Sequence, residues 1–503
     1  MLSRLATRQL PAGLMALICG LAIPFSFAPY HFIFLDILSL SVMLLLVRSF
    51  SRRYATILWL VFAIGMFGYG VWWIQVSVHQ FGLPMYSFSV SVTAALIVTQ
   101  ALQVGLFGWF AQKLLSENNP AEILFGVPAC WVAVEFLRSW FGSGFPWLLL
   151  GYAHVESPLG GFAPIGGVHL VSFSVFLIAA AIYLTVQSRK YSFLLVPLAV
   201  VGIGFGLNQI SWVSESQSGD KSVALVQAAI PQEIKWHPDV RQPSIDLYTT
   251  LTEPHWDNDV VVWPETAIAA FPDEVIKTHE SLTLRAKETN TVFLLGSPTK
   301  QASDEVKDNA RYFNSLLLLD NSGARYDKRH LVPFGEYMPF DSLLRPITDL
   351  LNVPMSDFSK GQARSSVLNV GSFVVGSSIC YEDAYSGLLR DSLPRANVFV
   401  NISNDAWFGD TIAPHQHLQI SQMRALEMGR YMLRATNTGI SAIIDHHGRV
   451  LDKSKQFEPQ ALVGNFKLFE GATPYARVGS LPVFVLSVFI FVALLVRKST
   501  QYQ

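Results

Sequence analysis

The chain has 503 residues, of which 51% are hydrophobic and only 15% are charged, and its formal net charge is -1. A mean hydropathy of +0.35 is too high for a soluble globular protein of this length, so the composition indicates a membrane protein. The near-zero net charge, without a long basic run, argues against a surface that binds nucleic acid.

Apolar stretches long enough to cross a bilayer occupy most of the first 213 residues and recur once near the end of the chain. They predict eight membrane helices, at about residues 12–30, 31–47, 54–77, 86–112, 121–137, 165–186, 191–213 and 480–496. Pro24 and Pro29 interrupt the first stretch. Because that stretch lacks a small-residue cleavage site and continues into a second one, we interpret it as an uncleaved helix rather than a signal peptide.

Basic residues predict the orientation of these helices, because lysine and arginine near the end of a span resist translocation. With eight spans they collect on one side, which we assign to the cytoplasm together with both termini; these residues are Arg4, Arg8, Arg48, Arg52, Arg53, Lys113, Arg189, Lys190, Arg497 and Lys498. The long polar segment after the seventh span then faces outward. We therefore predict a membrane domain at residues 1–214, an outward-facing soluble domain at 215–475, and a final span with a cytoplasmic tail at 476–503.

The polar segment alternates between strand-like and helix-like patterns. The strand-like runs lie at residues 222–230, 259–266, 291–297, 315–320, 372–380, 397–403 and 440–452. Helix-like stretches lie between several of them, at residues 273–289, 382–392 and 416–433. This alternation favours an α/β layered domain with buried sheets.

Three strand ends in this domain carry residue types suited to covalent catalysis. They are Glu265 in "VVVWPETA", Lys328 in "YDKRHLVPFGEYMPF" and Cys380 in "GSSICYEDAYSG". Each has a purely structural alternative. Glu265 could be an acid in the first turn of a helix, Lys328 an exposed turn lysine, and Cys380 a small packing residue, since free cysteine is among the most often buried residue types.

Chemistry gives a reason to join the three residues. A thiol reacts as its thiolate, which a nearby cation or helix N-terminus favours, and a buried glutamate can accept the thiol proton. A lysine ammonium, together with the backbone N–H after the cysteine, can stabilise an oxyanion. Cys19 and Cys130 fall in predicted spans as packing residues, so Cys380 is the one thiol of the soluble domain and has no local disulfide partner. This favours the interpretation of Cys380 as a nucleophile over that of a packing residue.

The flanking motifs extend the pattern beyond the three residues. They are "LVQAAIPQEIKW", "WPETA", "YDKRHLVPFGEYMPF", "ICYEDAYSG", "NISNDAWFGD" and "RALEMGRYMLRATNTGISAIID", with "GFPWLLLGYAHVESPLGGFAPIGGVHLVSF" in the membrane part. The order Glu265, Lys328, Cys380 resembles the nitrilase superfamily, which places a Glu-Lys-Cys triad on an αββα sandwich. Jointly the motifs resemble its membrane-embedded branch, the bacterial apolipoprotein N-acyltransferase family, over nearly the whole chain.

The resemblance implies a two-step transfer. An acyl chain passes from a phospholipid donor to the cysteine as a thioester, and then to the α-amino group of the diacylglyceryl cysteine of an apolipoprotein. It also implies an enzyme of the bacterial inner membrane whose catalytic domain is periplasmic, without a cofactor or metal. Both lipid substrates are held in the outer leaflet, so tethering the site at the bilayer surface raises the effective concentration of the reactants.

Matched residue by residue, the resemblance assigns Cys380 as nucleophile, Glu265 as general base and Lys328 as the group that stabilises the oxyanion. It adds Glu336, in "FGEYMP", as a second glutamate beside the lysine. Three further positions match residues on which the family depends, with less defined roles: Tyr381, Glu382 and Trp236.

Other features are interpreted as accessory or structural. The amphipathic segment "FDSLLRPITDLLNVPMSDF" (340–358) is either a lid that shields a thioester from water or an ordinary surface helix. The histidines of "PHQH" (414–417) lack a third ligand nearby for zinc, and "DHHGR" (445–449) is typical of a hairpin turn with exposed histidines and Gly448 in a special conformation. Glu135 could line a lipid groove, although snorkelling to the interface is the simpler account.

Two rival functions have distinguishing features. A membrane-tethered amidase or nitrile hydrolase would share the triad and pass the acyl group to water, but a hydrolase of small soluble amides has no need of eight spans. A transporter with an outward binding module would show paired repeats or intramembrane charges, and apart from Glu135 these spans show little of either.

Overall fold

The computed structural model describes residues 2–81, 85–115, 119–301, 310–333, 335–338, 357–362 and 367–500. The chain divides into two compact units: a helical unit, made of Met1–Gln75, Met85–Ser211 and Arg477–Gln503, and a sheet unit, made of Val76–Pro84 and Trp212–Ala476. The sheet unit thus takes a short piece of chain from within the region that the sequence assigned to the membrane. The predicted lid, residues 340–358, lies outside the described residues except for its last two and stays a prediction.

Helices make up most of the helical unit and flank the sheets of the other. In chain order they are α1 (Leu2–Ala22), α2 (Phe34–Val47), α3 (Arg52–Gly70), α4 (Ile74–Phe81), α5 (Tyr86–Leu115), α6 (Val127–Trp140), α7 (Ala163–Ser188), α8 (Leu195–Leu207), α9 (Pro238–Thr252), α10 (Ile276–Thr289), α11 (Ser386–Arg390), α12 (Ala413–Met428), α13 (Pro474–Val478) and α14 (Leu481–Thr500).

Five helical stretches among the described residues are long and apolar enough to cross a membrane. They are Gln9–Ser26, Arg52–Gly70, Tyr86–Leu115, Glu122–Ser143 and Pro158–Ser188. Three shorter apolar helices, Phe34–Val47, Tyr191–Leu207 and Leu481–Ile490, overlap the remaining predicted spans. The helical unit therefore contains several candidate spans, and the count of eight stays a prediction.

Two glycines let α1 and α3 pack backbone to backbone. A Cβ atom at Gly20 would lie 1.9 Å from the carbonyl oxygen of Phe62, and a Cβ atom at Gly65 would lie 2.6 Å from the carbonyl oxygen of Leu17. Neither position can carry a side chain without moving the helices apart. Contacts of this kind stabilise helix pairs in lipid, where burial of apolar surface between helices contributes little.

Glu135, on α6, is fully buried inside the helical unit. Its Oε1 accepts hydrogen bonds from Trp131 Nε1 at 2.9 Å and from the backbone N–H of Leu150 at 3.0 Å. The expectation that this side chain snorkels to the interface is therefore wrong, because it ties α6 to the loop that precedes α7. Cys19 and Cys130 are also buried, as expected of packing residues.

Among the described residues, the sheet unit contains two six-stranded sheets and a two-stranded ribbon. Its strands are β1 (Ser214–Glu215), β2 (Lys221–Gln227), β3 (Val260–Trp263), β4 (Val292–Gln301), β5 (Arg311–Leu318), β6 (Arg325–Asp327), β7 (Val367–Val370), β8 (Phe373–Ile379), β9 (Val398–Ser403), β10 (Met432–Thr436), β11 (Ala442–Ile444), β12 (Val450–Lys453), β13 (Gln460–Phe466) and β14 (Phe469–Glu470). The first sheet has the order β13-β2-β3-β4-β5-β6, the second has the order β12-β11-β10-β9-β8-β7, and β1 pairs with β14. The pairs β2–β3, β3–β4, β8–β9 and β9–β10 are parallel, and the other pairs are antiparallel.

Alternating residues of the central strands face two different cores. On β2, Val223 and Leu225 lie in the core shared by both sheets, whereas Ala224 and Val226 lie in the core beneath α9 and α10. On β9, Phe399 lies in a third core with residues of α12. Because both faces of these parallel strands are covered, their sequences are almost continuously apolar. The result is an αββα sandwich, as the resemblance to the nitrilase superfamily implied.

The predicted strand runs each coincide with observed strands, but the helix-like stretch 416–433 is too long at its end. Helix α12 stops at Met428, Gly429 takes a φ of +65°, and β10 begins at Met432. Glycine adopts this left-handed conformation without a Cβ penalty and is the usual residue after a helix. The apolar run that follows is therefore a strand and not a last helical turn.

The turn at residues 445–449 joins the antiparallel strands β11 and β12, and Gly448 has a φ of +76°, which confirms the predicted hairpin. Its histidines were expected to be exposed, but the structure buries them in part. The ring of His446 stacks on Phe469 with centroids 4.0 Å apart, and both histidines are half-buried. Burial, with the neighbouring His447 and Arg449, lowers the pKa of His446 to about 4.

Candidate active site

The structure brings Glu265, Lys328 and Cys380 together in the sheet unit, each just beyond the end of a strand. Glu265 follows β3, Lys328 follows β6 and Cys380 follows β8. All three are buried, with exposed fractions of 5%, 1% and 6%. Lys328 is thus not an exposed turn lysine. Glu265 is not in the first turn of a helix either, because α10 begins only at Ile276.

The two carboxylate oxygens of Glu265 differ in their surroundings. Oε1 accepts a hydrogen bond from Asn314 Nδ2 at 2.7 Å and lies 3.5 Å from Lys328 Nζ. Oε2 is buried and has no hydrogen-bond partner among the described residues. Since a buried acceptor without a partner is costly, this oxygen is the one available to accept a proton from a reacting group.

The backbone around Glu265 is held close to the neighbouring strand β4. A Cβ atom at Gly296, on β4, would lie 2.1 Å from the carbonyl oxygen of Pro264 and 2.8 Å from the Cα atom of Glu265. Thr266, which follows the glutamate, has a φ of +49°, an uncommon conformation for a β-branched residue. A glycine on β4 is thus needed for Glu265 to reach its position.

Lys328 lies between two carboxylates. Its Nζ is 2.8 Å from Glu336 Oε1 and 3.5 Å from Glu265 Oε1. Burial alone would lower the pKa of this lysine, but the negative charges of Glu336 and Glu265 outweigh that effect and raise its pKa above the ordinary value. Lys328 therefore stays a cation, as a residue that stabilises an oxyanion must.

Cys380 opens a short 3-10 helix, Cys380–Ala384, directly after β8. Its φ of +56° is rare for a residue with a side chain and is often found where strain serves a functional site. The pKa of its thiol is raised by burial and by the charge of Glu265, which together outweigh the opposing effect of Lys328. Lys328 thus acts on the thiol in the expected direction, but burial and Glu265 outweigh it, so the thiol needs a base.

Asn314, on β5, belongs to the same site but was not predicted from the sequence. Its Nδ2 donates to Glu265 Oε1 at 2.7 Å and to Glu336 Oε1 at 3.1 Å, so it fixes the spacing of the two carboxylates. We call Glu265, Lys328, Glu336 and Asn314 the lysine cluster. The available signal was a polar side chain in the apolar strand "RYFNSLLLLD", which is too common to single out.

Glu382 is fully buried and joins the cysteine segment to the lysine segment. Its Oε2 accepts from the backbone N–H of Ile379 at 2.8 Å and from Tyr326 Oη at 2.9 Å. Its Oε1 accepts from the backbone N–H groups of Arg329 and His330, at 2.7 and 2.9 Å. Burial raises the pKa of Glu382 despite these contacts. The side chain thus positions the residues before Cys380 and after Lys328.

Tyr381 lies beside Lys328, whereas Trp236 is an exposed residue. Tyr381 Oη donates to the carbonyl oxygen of Leu331 at 2.8 Å, and Lys328 Nζ lies 5.6 Å from the centre of its ring. The backbone N–H of Tyr381 lies in the first turn of the 3-10 helix, where helical N–H groups lack partners within the helix. Trp236 is 52% exposed, and no hydrogen bond or ring contact in the described part of the chain joins it to the triad.

A second group of buried charges lies next to the cysteine segment. His417, on α12, has Nε2 3.0 Å from Asp383 Oδ1 and Nδ1 3.0 Å from Asp405 Oδ1. Arg434, on β10, has Nη2 2.8 Å from Asp405 Oδ2 and Nη1 3.4 Å from Asp383 Oδ2. We call these four residues the arginine cluster. His417 is thus structural, as the sequence indicated, but it is part of a fully buried ionic network.

The arginine cluster reaches Cys380 through one side chain. Arg434 Nη1 donates to Asn401 Oδ1 at 2.8 Å, and Asn401 Nδ2 donates to the carbonyl oxygen of Cys380 at 3.0 Å and to Ser378 Oγ at 2.9 Å. These contacts hold the strained backbone of the cysteine. Among the described residues, no group of three or more histidine, cysteine, aspartate or glutamate side chains could hold a metal ion.

Arranged in this way, the site suits acyl transfer through a covalent intermediate. It contains a buried thiol, a carboxylate with one free oxygen, and a lysine held as a cation. A thiol nucleophile with an adjacent base allows a difficult acyl transfer to proceed in two easier steps through a covalent intermediate.

Two family models match this chain. A family model for carbon-nitrogen hydrolases matches residues 222–470, and a model for the apolipoprotein N-acyltransferase N-terminal domain matches residues 19–181. Among solved structures, Saccharomyces cerevisiae Nit3, a member of branch 10 of the nitrilase superfamily, covers 51% of this chain and 92% of its own at 15% identity with a TM-score of 0.37.

Curated relatives match nearly the whole chain. The apolipoprotein N-acyltransferase of Vibrio cholerae is 36% identical over 489 residues, which cover 95% of this chain and 96% of that protein. The one of Methylococcus capsulatus is 37% identical over 476 residues, which cover 94% of this chain and 93% of that protein. The chain therefore belongs to the apolipoprotein N-acyltransferase family.

Proposed function

We propose that the protein is an acyltransferase that moves an acyl chain from a membrane phospholipid, through a thioester on Cys380, to the α-amino group of the diacylglyceryl cysteine of an apolipoprotein. The observation that carries the proposal is the buried Cys380 thiol, which is acted on by the charges of both Glu265 and Lys328. Membership of the family supplies the class of acceptor, and the membrane supplies the donor.

In the first step, Glu265 Oε2 accepts the proton of the Cys380 thiol as the sulfur attacks the ester carbonyl carbon of the phospholipid. The negative charge that develops on the carbonyl oxygen is stabilised by the Lys328 ammonium and the backbone N–H of Tyr381. When the tetrahedral intermediate collapses, the C–O bond breaks and Glu265 returns the proton to the leaving alkoxide. The products are a lysophospholipid and the acyl thioester.

In the second step, the neutral α-amino group of the apolipoprotein attacks the thioester carbonyl carbon. Glu265 accepts a proton from the attacking nitrogen, Lys328 again stabilises the oxyanion, and the C–S bond breaks to leave an amide. The proton on Glu265 then returns to the Cys380 sulfur, so the enzyme ends as it began. Within this scheme Glu336 and Asn314 position Lys328 and Glu265, and Glu382 positions the backbone beside them.

The membrane arrangement is part of the proposal. Eight spans within 1–214 and 476–503 would hold a periplasmic catalytic domain at 215–475 on the outer face of the bacterial inner membrane. Basic residues at the span ends support this orientation. A reporter fused after residue 240 should be active only as a periplasmic reporter; activity as a cytoplasmic reporter alone would contradict both the span count and the orientation.

The test of the function is the mass of the intact protein after incubation with phospholipid. The parent should gain one acyl group, located on the peptide that contains Cys380, and lose it when a diacylated lipopeptide is added. Cys380→Ser should melt like the parent but form no triacylated lipopeptide, because an alcohol is far less acidic than a thiol and an oxygen ester is a poorer donor to an amine.

The matched control is Cys130→Ser, which changes a buried cysteine of the helical unit and should keep acyl-enzyme formation. Parental turnover by a normally folded Cys380→Ser would overturn the mechanism. If the acyl group instead disappeared equally fast with and without lipopeptide, transfer to water would be the activity and the amidase alternative would be favoured.

A further inference from the structure

Lys235 is a buried lysine that the proposed mechanism does not use. It lies on the loop between β2 and α9, and only 3% of it is exposed. Its Nζ donates a hydrogen bond to the backbone carbonyl oxygen of Glu265 at 3.2 Å. A second cation therefore lies at the general base, on the backbone side, in addition to Lys328 on the carboxylate side.

The loop that carries Lys235 is fastened from the second sheet. The side chain of Asn437, which follows β10, accepts from the backbone N–H of Ile230 at 3.0 Å and donates to its carbonyl oxygen at 2.7 Å. Asn404, which follows β9, donates to Gln232 Oε1 at 2.6 Å. The position of Lys235 is thus set by both sheets and does not depend on its own side chain.

Burying a charged ammonium at this position costs free energy. Burial lowers the pKa of Lys235 to about 8, although the negative charge of Glu265 opposes the shift. Removing an ammonium from water is costly unless its charge is used, and a neutral donor could make the same bond to a backbone carbonyl. The charge of Lys235 is therefore the feature that needs an explanation.

We infer that Lys235 is a positioning residue for acyl transfer: its ammonium makes a charge-assisted hydrogen bond that holds the backbone at Glu265 and so keeps the carboxylate in place beside Cys380. The inference rests on the proposed role of Glu265 as the base. Glu265 is the charged group that faces Lys235, and Glu265 itself faces Lys328, Cys380 and the neutral Asn314. A hydrogen bond from a charged donor is roughly twice as strong as one from a neutral donor, so the charge of Lys235 serves to hold this backbone.

The rate of Cys380 acylation should depend on pH, and the sign of this dependence follows from the charge of Lys235. Below pH about 8 the side chain is charged, and above that value it loses the proton. Since the charged form is the one that supports Glu265, the rate of Cys380 acylation should fall as pH rises through this region.

The experiment measures the single-turnover rate of Cys380 acylation in the full-length protein, with phosphatidylethanolamine in detergent micelles, from pH 6 to pH 10. Lys235→Met should be slower at pH 7 by about tenfold, because the base is then less well placed for the thiol, and should lose the fall near pH 8. Lys235→Arg keeps a cation at every pH tested, so it should recover much of the rate at pH 7 and stay flat through pH 9. Lys287→Met, which removes an exposed lysine of α10, is the control for net charge and should match the parent.

Two results would overturn the inference. One is a Lys235→Met protein with the parental rate and pH profile. The other is a Lys235→Met protein that is slower by the same factor at every pH and keeps the parental fall near pH 8, since that pattern belongs to a purely structural residue. Failure of the proposed function is a separate outcome, because it would show as acyl-enzyme formation by Glu265→Gln with Lys235 intact.

Discussion

The sheet unit contains two buried charge clusters that differ in how their acceptor oxygens are paired. In the arginine cluster every carboxylate oxygen has a partner: Asp383 contacts His417, Ser421 and Arg434, and Asp405 contacts His417, Ser403 and Arg434. In the lysine cluster, Glu265 Oε2 and Asn314 Oδ1 are buried and have no hydrogen-bond partner among the described residues.

The difference shows how buried charge serves two purposes in one fold. A network whose acceptors are all satisfied can hold a backbone in place, and the arginine cluster does so for Cys380 through Asn401. An unsatisfied acceptor destabilises the folded state, so it is expected where a substrate or a proton will later supply the missing partner. On the proposed mechanism, the lysine cluster is the site of chemistry and the arginine cluster is its support.

The strongest test of this comparison is Glu265→Gln. The amide keeps the shape of the side chain but cannot accept the thiol proton, so the rate of Cys380 acylation should fall by about 10²–10⁴-fold, the range typical of general-base catalysis. The melting temperature should stay at the parental value or rise, because the buried oxygen without a partner no longer carries charge. Lys328→Ala should also block this step, through loss of oxyanion stabilisation.

The rate is measured by single-turnover acylation and the stability by the tryptophan fluorescence of the full-length protein on heating. Glu280→Gln, at an exposed position of α10, is the control and should behave like the parent. If Glu265→Gln were acylated at the parental rate, the assignment of the base would have to move to Glu336, which lies 2.8 Å from Lys328 Nζ.

Arg434→Met should have the opposite pattern in the arginine cluster. It removes the guanidinium that contacts both aspartates and leaves buried carboxylates without their cation, which should destabilise the folded protein by about 3–5 kcal/mol. Protein that remains folded should still be acylated at Cys380, because no atom of Arg434 takes part in proton transfer.

Melting temperature and acylation per folded molecule separate the two effects. Arg395→Met, at an exposed position, is the control for loss of a positive charge. A normal melting temperature together with lost acylation would place the arginine cluster in the chemistry and would remove the distinction between the two clusters.

Most of the sandwich was predictable because its strands are short apolar runs bounded by turns. The strand at Met432–Thr436 was missed because the apolar pattern of α12 continues into it, and periodicity does not distinguish a last helical turn from a buried strand over so few residues. The parallel pairing of β10 with β9 fixes the conformation of this segment, and such long-range pairing leaves no local signal.

The site was predictable where residue type carries the chemistry and hidden where only geometry does. Glu265, Lys328 and Cys380 stood out as a carboxylate, an ammonium and a thiol at strand ends. Asn314 and Lys235 did not, because an asparagine in a strand and a lysine in a loop are ordinary in a sequence. Their relevance depends on distances of 2.7 Å and 3.2 Å to Glu265, which only the fold creates.

The smallest predicted effect is the pH dependence of the arginine cluster. Burial alone would raise the pKa of Asp405, but Arg434 and His417 outweigh it and hold the pKa below the ordinary value. For His417, burial and Arg434 lower the pKa, but Asp383 and Asp405 outweigh them and raise it overall. A carboxyl with a lowered pKa stabilises the folded state above its unfolded pKa of about 3.9, and this contribution is lost as pH falls through the folded value. The contribution of His417 has the opposite sign: it is present below about pH 6.5 and is lost as pH rises through the raised pKa.

Asp405→Asn tests the signs of both contributions to stability. It removes the contribution of the Asp405 carboxylate, and it weakens that of His417 because His417 loses one of its two carboxylate partners. The variant should melt below the parent at pH 6, and the difference should narrow by several degrees as pH falls from 5 to 3, since the unfolded parent then binds a proton at Asp405 that the folded parent does not. Asp410→Asn, at an exposed position, should show no such narrowing. A difference between Asp405→Asn and the parent that stayed constant from pH 6 to pH 3 would mean that Asp405 is not held ionised by its neighbours. The arginine cluster would then stabilise the fold by packing and neutral hydrogen bonds. The two clusters could then no longer be distinguished by whether their ionised carboxylates have partners.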